Sequence, residues 1–119
     1  MTHQPEPVDI AALPKAVRLH LLAHDARDAA AALAAFAPEA TVTDDGRTHR
    51  GHAAIGEWFE EATSRFTYTA TPVGATHDGP GAYTVVQHLE GDFPGGTVDL
   101  RHRFVLDDDG LISALVIAP

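Results

Sequence analysis

The stretch FAPEATVTDDGRTHRGHAAIGEWF, residues 36–59, decides the fold. Residues 40–43 are mainly β-branched and lie between Pro38 and the polar run 44–46, so they predict a short strand that ends in a turn. From residue 52 onward apolar side chains recur at the spacing of one helix face; they are Ala54, Ile55, Trp58, Phe59 and Ala62. The strand would therefore bring Asp44 beside an apolar helix. An apolar wall disfavours the ionised form of a carboxyl group, which makes the carboxylate a stronger base.

Length and composition favour one acidic globular domain. The chain has 119 residues, a formal net charge of −9, and eight Lys plus Arg residues that are not clustered. This charge balance argues against a nucleic-acid partner and against binding to an anionic membrane surface. The absence of cysteine excludes a disulfide framework and a thiolate metal site.

The beginning of the chain has no recognisable targeting signal. Residues 1–9, MTHQPEPVD, contain neither the basic nor the apolar segment of a signal peptide, and no apolar run has the length of a membrane span. We therefore expect a cytoplasmic protein, and the Ala-rich, Arg-over-Lys usage indicates a bacterial source. Pro5 and Pro7 predict a flexible tail over residues 1–7, followed by a single domain over residues 8–119.

Helical periodicity predicts two helices before the central stretch. The first begins near residue 8 and is broken over residues 24–28, where Asp25 or Asp28 can cap the next helix. The second helix is predicted over residues 29–36 and is ended by Pro38. A third helix, over about residues 52–64, follows the Asp-Asp-Gly turn and the connecting residues 47–50.

Alternating patterns then predict four strands in hairpin succession. They are expected over residues 66–77, 83–90, 97–106 and 111–117, with a bulge near Pro72 and Gly74. This order of elements predicts an α+β domain in which helices pack on one face of a curved, mainly antiparallel sheet.

Two histidines lie on predicted apolar faces. In the strand 97–106, alternation places His102 between Leu100 and Phe104 on the face that points to the helices. The opposite face carries Asp99, Arg101, Arg103 and Val105, and is expected to face solvent or a second subunit. In the first helix His20 shares the apolar face, whose other members are Ile10, Leu13, Val17 and Leu21.

Four segments together resemble the nuclear transport factor 2-like superfamily and, within it, the SnoaL-like family. They are FAPEATVTDDG, RGHAAIGEWF, GDFPGGTVDLRHRF and DDDGLISALVI, in this order. The resemblance implies a cone-shaped α+β fold with a cavity between helices and sheet, and a homodimer. The same fold hosts isomerases, cyclases, dehydratases, epoxide hydrolases and inactive binding proteins, so the fold alone does not give the function.

The chain is also distantly similar to the steroid delta-isomerases of that superfamily. Their Ala-Thr-Val-x-Asp segment resembles residues 40–44, which implies that Asp44 is the general base. Their oxyanion-hole tyrosine and protonated aspartic acid fall on His20 and His102. A supporting tyrosine falls on Phe59, which lacks the hydroxyl, and these departures argue against steroid isomerisation itself.

The resemblance and the patterns together predict an enzyme that needs no cofactor. It would use general acid–base chemistry for isomerisation, cyclisation or dehydration of a small hydrophobic carbonyl or hydroxyl compound. The predicted catalytic residues are Asp44, His20 and His102. The residues expected to contact the ligand are Trp58, Phe59, Val17, Leu100 and Phe104.

Other interpretations of the same residues remain open. Asp44 could be a turn residue, the two histidines could be satisfied core residues, and the protein could be a dimer that binds a hydrophobic ligand without chemistry. An epoxide hydrolase would need an arginine inside the cone, whereas Arg101 and Arg103 are predicted to point outward.

Metal binding and tyrosine chemistry are less favoured alternatives. His20 and His24 are spaced i, i+4 and His49 and His52 i, i+3, which can bring two metal ligands together, but we expect no metal. Tyr68 and Tyr83 are expected to be sheet residues rather than acids.

Overall fold

The computed structural model of the protein describes residues 4–119. Three helices pack against a curved seven-stranded sheet, which confirms the predicted α+β architecture. The helices are α1, Lys15–Ala26; α2, Ala29–Ala34; and α3, Gly51–Ser64; a 3-10 turn, Ile10–Ala12, precedes them. Within residues 4–119 no helix is both long and apolar enough to cross a membrane.

The sheet is antiparallel except for one pair of strands. Its strands are β1, Glu6–Pro7; β2, Phe36–Asp44; β3, Arg47–Arg50; β4, Tyr68–Gly79; β5, Ala82–Gly91; β6, Thr97–Leu106; and β7, Ile112–Ala118. Their spatial order is β1-β4-β5-β6-β7-β2-β3, and β2 runs parallel to β7. The bulge predicted in the first long strand is present as a register shift between Pro72 and Gly74.

The chain start contributes a short edge strand. The tail was predicted over residues 1–7, of which residues 1–3 lie outside the described part of the chain. Glu6 pairs with His77 and Pro7 with Thr76 in β4, and the amide of Val8 donates to the carbonyl of Ala75 at 3.0 Å.

The junction of α1 and α2 follows the predicted capping chemistry. Arg27 ends α1 in the left-handed conformation, with φ 53°. Asp28 then caps α2, because its Oδ1 accepts a hydrogen bond from the Ala31 amide at 3.1 Å. The helix cap proposed for Asp25 or Asp28 is therefore confirmed for Asp28.

The predicted end of the second helix was wrong. Phe36 begins β2 instead of closing α2, and Pro38 lies inside the strand where its register against β7 is irregular. Phe36 pairs with Ile112 and is 2% exposed, so the strand pairing and the burial of a large aromatic outweigh the helical tendency of the alanine run.

Residues 47–50 form a strand and not the connecting turn that the sequence predicted. Asp45 and Gly46 have positive φ angles of 53° and 76°, as the tight two-residue turn of a β-hairpin requires, and Arg47–Arg50 pairs back on β2. The strand carries the polar sequence RTHR at the sheet edge, so it lacks the alternation by which buried strands are recognised.

The face assignment of β6 is confirmed. His102 and Phe104 are buried, whereas Asp99, Arg101 and Arg103 are exposed on the opposite face. Phe104 belongs to the larger apolar cluster of the described residues, together with Val17, Phe36, Val42, Ile55, Val85, Ile112 and Leu115. The core therefore fills the space between the helices and the inner face of the sheet.

Two neighbouring residues of β6 offer a matched test of this core. We expect Phe104→Ala to lower the free energy of unfolding by about 3–5 kcal/mol, because it removes a fully buried ring and leaves a cavity. Val105→Ala, on the opposite face and 39% exposed, should cost less than about 1 kcal/mol. Urea unfolding of the three proteins measures both differences, and equal costs would show that the two faces are wrongly assigned.

Candidate functional site

A cavity of about 290 Å³ lies between the helices and the inner face of the sheet. Apolar side chains supply most of its wall, and they include Trp58, Phe59, Ala62, Phe66, Leu89, Phe93, Val98, Leu100 and Ile117. The polar side chains that reach it are Asp44, His20, His24, Tyr68, Arg65, Thr63 and His102. A mainly apolar cavity with a few convergent polar groups is the usual form of a small-molecule site.

Most of the predicted site residues meet in this cavity. The three predicted catalytic residues, Asp44, His20 and His102, line it. Trp58, Phe59 and Leu100, which were expected to contact the ligand, line it as well. Val17 and Phe104 do not line it and are completely buried in the core. The ring of Phe104 packs instead against His20, which lies edge-on to it with centroids 5.6 Å apart.

Strand register explains how Asp44 and His102 come together. Asp44 of β2 pairs with Ile117 of β7, and Ile117 pairs in turn with His102 of β6. Side chains of paired residues point to the same face of a sheet, and neighbouring strands are about 4.8 Å apart. The carboxylate and the imidazole therefore stand two strand spacings apart, roughly 10 Å between their backbones, with Ile117 between them.

The Asp44 carboxylate is oriented by the helix that faces it. Trp58 of α3 donates its indole Nε1–H to Oδ2 of Asp44 at 3.0 Å. The other oxygen, Oδ1, has no hydrogen-bond partner among residues 4–119. One carboxylate oxygen is therefore held in place while the other remains able to accept a proton.

His20 and His102 are buried, neutral imidazoles in the wall of the cavity. Burial, followed by the proximity of His102 and His24, lowers the pKa of His20 to about 3. Burial and the proximity of His24 lower the pKa of His102 to about 4. Nδ1 of each ring is buried and has no hydrogen-bond partner in the described part of the chain. Neutral rings can donate a hydrogen bond but carry no positive charge at neutral pH.

Gln87 is a buried polar neighbour that the sequence analysis missed. It is 2% exposed, and its Nε2 lies 3.4 Å from Nε2 of His102. The two side chains project from adjacent strands, β5 and β6, toward the helices. Alternation in β5 indicated this inward position, because Val85 and Leu89 flank Gln87 on the same face.

His24 and Tyr68 also reach the cavity, and neither was among the predicted site residues. Nε2 of His24 lies 2.6 Å from the Tyr68 hydroxyl, and the His24 ring stacks parallel to His20 with centroids 6.4 Å apart. Burial raises the pKa of the Tyr68 hydroxyl; Arg27 opposes this, and Asp44 and Asp25 add to it. The helical i, i+4 spacing of the two histidines was the available signal, but nothing in the sequence connects Tyr68 with them.

No cluster suited to a metal ion occurs in the part of the chain that the structure describes. Over residues 4–119, no group of three or more His, Cys, Asp or Glu side chains converges in that way. His49, predicted in a turn, lies on β3, and Nε2 of His52 makes a 3.0 Å hydrogen bond with the Phe36 carbonyl.

Comparison with known proteins points to one family. A family model of the SnoaL-like domain matches residues 17–115. A candidate polyketide cyclase from Sinorhizobium meliloti is 34% identical, with a TM-score of 0.86, and the alignment covers 93% of this chain and 100% of that chain. No curated protein matches the sequence.

Two further solved structures share the fold at lower identity. The Δ5-3-ketosteroid isomerase of a Mycobacterium species is 23% identical, with a TM-score of 0.71 and coverage of 87% of this chain and 89% of that chain. A Mycobacterium tuberculosis protein in complex with estradiol-17β-hemisuccinate is 21% identical, with a TM-score of 0.67 and coverage of 87% and 90%. At such identities the likeness establishes the fold alone.

The buried histidines should make the protein less stable in mild acid. In the unfolded chain a histidine has a pKa near 6.5. In the folded protein, burial lowers the pKa of His20 to about 3 and the pKa of His102 to about 4. Between these limits the unfolded state binds more protons, so the free energy of unfolding falls as the pH falls. From pH 7 to pH 5 we expect a loss on the order of 1–2 kcal/mol per histidine, measured by urea unfolding.

Two single variants separate this effect from the rest of the titration. His102→Gln should reduce the acid-induced loss, because glutamine does not titrate. His88 on the outer face should act in the opposite sense, because its hydrogen bonds with Asp99 and Glu90 raise its pKa. Protonated His88 therefore stabilises the folded protein at low pH, and this stabilisation is lost as the pH rises. His88→Gln should therefore steepen the loss, and a His102→Gln variant with the wild-type slope would contradict the neutral burial of His102.

Proposed function

This chain belongs to the SnoaL-like domain family, and we propose that it is an enzyme that moves protons on a small hydrophobic carbonyl or hydroxyl compound by general acid–base chemistry. The observation that carries the proposal is the meeting of Asp44, His20 and His102 in one mainly apolar cavity. They supply a proton acceptor and a neutral hydrogen-bond donor beside a second uncharged imidazole, which is the set that enolisation needs.

Asp44 acts as the base in this proposal. Its free Oδ1 takes a proton from the carbon next to the carbonyl group, while the Trp58 indole holds Oδ2. The electron pair of the broken C–H bond forms the C=C bond of an enolate, and the carbonyl π electrons move to the oxygen. Return of the proton to another carbon gives an isomer, and attack of the enolate carbon on a second carbonyl closes a ring.

The neutral histidines stabilise the developing charge. The imidazole N–H of His20 donates to the enolate oxygen, and the dry surroundings strengthen this hydrogen bond. His102 supports the site as a second neutral ring, because its Nε2 faces the donor amide nitrogen of Gln87. Their depressed pKa values make an imidazolium ion too acidic to persist near neutral pH, so donation without a net charge is the role that fits.

The apolar wall supports a hydrophobic ligand with few polar groups. The rings of Trp58 and Phe59 are inclined at 68°, with centroids 6.2 Å apart, and form an aromatic corner beside Asp44. The M. tuberculosis structure holds a steroid ester in the same fold, which supports the same class of ligand for this chain. A homodimer and a cytoplasmic location stay predictions from the sequence and its resemblance.

The proposal predicts Asp44-dependent proton exchange. We expect the protein to speed the exchange of the α-protons of 2-tetralone, an apolar bicyclic ketone, for deuterium in D2O. Because Asp44→Asn removes the base, it should slow the exchange about 10²–10⁴-fold. Proton NMR of the ketone measures the rate without knowledge of the natural substrate.

Asp45→Asn is the matched control. Asp45 is the exposed neighbour in the hairpin turn, and asparagine tolerates its positive φ of 53°, so exchange should be unchanged. Binding of 2-tetralone without exchange above the buffer rate would reject proton abstraction and favour the ligand-binding protein. Equal rates in the two variants would remove Asp44 from the mechanism.

A further inference from the structure

Tyr68 and His24 form a second polar pair in the wall of the cavity. The pair joins the first residue of β4 to the last turn of α1 through the 2.6 Å contact of the hydroxyl with Nε2. Both side chains line the same cavity as Asp44. The mechanism proposed above uses neither of them.

The tautomer of His24 determines how the hydroxyl proton of Tyr68 is held. When His24 carries its proton on Nδ1, its Nε2 accepts from the hydroxyl at 2.6 Å; otherwise the protein acceptor is the Ala62 carbonyl, at the long distance of 3.4 Å. When His24 carries its proton on Nε2, it donates to the Tyr68 oxygen, and the phenol O–H is then free for a stronger acceptor. A ligand oxygen in the cavity would be such an acceptor.

Arg27 fixes the position of the tyrosine. Its guanidinium donates to the Thr63 carbonyl at 3.2 Å and to the Tyr68 carbonyl at 3.0 Å, and its central carbon lies 5.4 Å from the centre of the Tyr68 ring. Arg27 makes these contacts from a left-handed backbone conformation, which a residue with a Cβ adopts only at a cost. The ring is therefore fixed from the backbone side and oriented by His24 at its hydroxyl.

The pair also separates the cavity from the outside. His24 and Tyr68 line a second groove on the outer surface, together with Asp25, Arg27, Thr69 and Ala70. Replacement by a small residue would therefore open the cavity to water as well as remove the polar group. Variants of similar volume, Tyr68→Phe and His24→Gln, change the chemistry and keep the wall.

We propose that Tyr68 is a catalytic residue that donates a hydrogen bond to the ligand oxygen while Asp44 takes the carbon-bound proton, and that His24 is its positioning residue. This inference rests on the proton-transfer function proposed above. The electron balance of that step is unchanged: the C–H pair forms the C=C bond, the carbonyl π pair goes to oxygen, and the Tyr68 O–H stabilises that oxygen without leaving the phenol. Tyr68 adds a donor at the cavity wall to that of His20.

Exchange kinetics test the catalytic role. With 2-tetralone in D2O, Tyr68→Phe should slow α-proton exchange about 10–100-fold, and His24→Gln should slow it less, because glutamine can still donate to the hydroxyl. Tyr83→Phe is the matched control, since Tyr83 stacks on His77 and does not line the cavity. Thermal unfolding of each variant checks that the fold is retained.

A spectroscopic measurement tests the contact without catalysis. The chain has two tyrosines, so Tyr83→Phe leaves Tyr68 as the only one, and ¹³Cζ-tyrosine labelling then gives a single signal. Addition of 2-tetralone should move this signal, and His24→Gln in the same background should alter the movement. This measurement also serves if Tyr68→Phe fails to fold.

The outcomes separate this inference from the proposed function. If wild type exchanges, Asp44→Asn does not, and Tyr68→Phe matches wild type, the role of Tyr68 is overturned and that of Asp44 stands. If wild type does not exchange, the proposed enzyme fails, and the ¹³C signal alone decides whether Tyr68 binds the ligand oxygen. A signal that 2-tetralone leaves unmoved at saturation overturns the inference in either case.

Discussion

The parallel pairing of β2 with β7 is the constraint on which the remaining structure depends. It attaches the first long strand to a sheet that the second half of the chain builds by hairpins, and it fixes Asp44 opposite Ile117. A slip of one residue would turn Asp44 to the outer face and Val42 out of the core. The same register brings α3 over the sheet, because α3 begins directly after the hairpin of β2 and β3. The position of the cavity, the packing of the core and the orientation of the Asp44 carboxylate therefore all depend on this strand pairing.

The burial of two imidazole rings is a free-energy cost of the site. His20 and His102 leave water without full compensation, since one nitrogen of each has no partner over residues 4–119. Apolar packing offsets this cost: His20 contacts Phe36 and Phe104 edge-on, and His102 stacks on Phe104. The rings are consequently neutral and share one cavity with a carboxylate, a combination that a polar surface site could not maintain.

Sequence periodicity predicted the regular elements well and the irregular ones poorly. Thr97–Leu106 has its predicted bounds, because a long strand with one buried face alternates clearly. Phe36 was misassigned because its strand partner, Ile112, is distant in sequence, and Arg47–Arg50 was missed because an exposed edge strand needs no apolar residues. The SnoaL-like resemblance, carried by four segments, is confirmed by the family match over residues 17–115.

Sequence patterns could predict which residues of the candidate site face inward, but not which of these residues line the cavity. Helix and strand periods put His20 and His102 on inner faces, and the family segment singled out Asp44. Hydrophobic periodicity does not tell which inward-facing residues line the cavity. Val17 and Phe104 were therefore expected at the cavity, but they lie in the core. Tyr68 was not predicted as a site residue, because its contact with His24 joins β4 to α1 and no local sequence pattern connects these two elements.

The parallel pairing of β2 with β7 also determines the order in which parts of the fold can form during synthesis on the ribosome. Translation proceeds from the N-terminus, so β2 and α3 emerge long before β7, the last strand, is made. Until then the β2 edge that β7 later covers has no partner from this chain, and its backbone amides and carbonyls can pair with other nascent chains. The Asp44 carboxylate consequently reaches its position, two strand spacings from His102, only after β7 has been made and has paired with β2, and until then the uncovered β2 edge exposes the chain to aggregation.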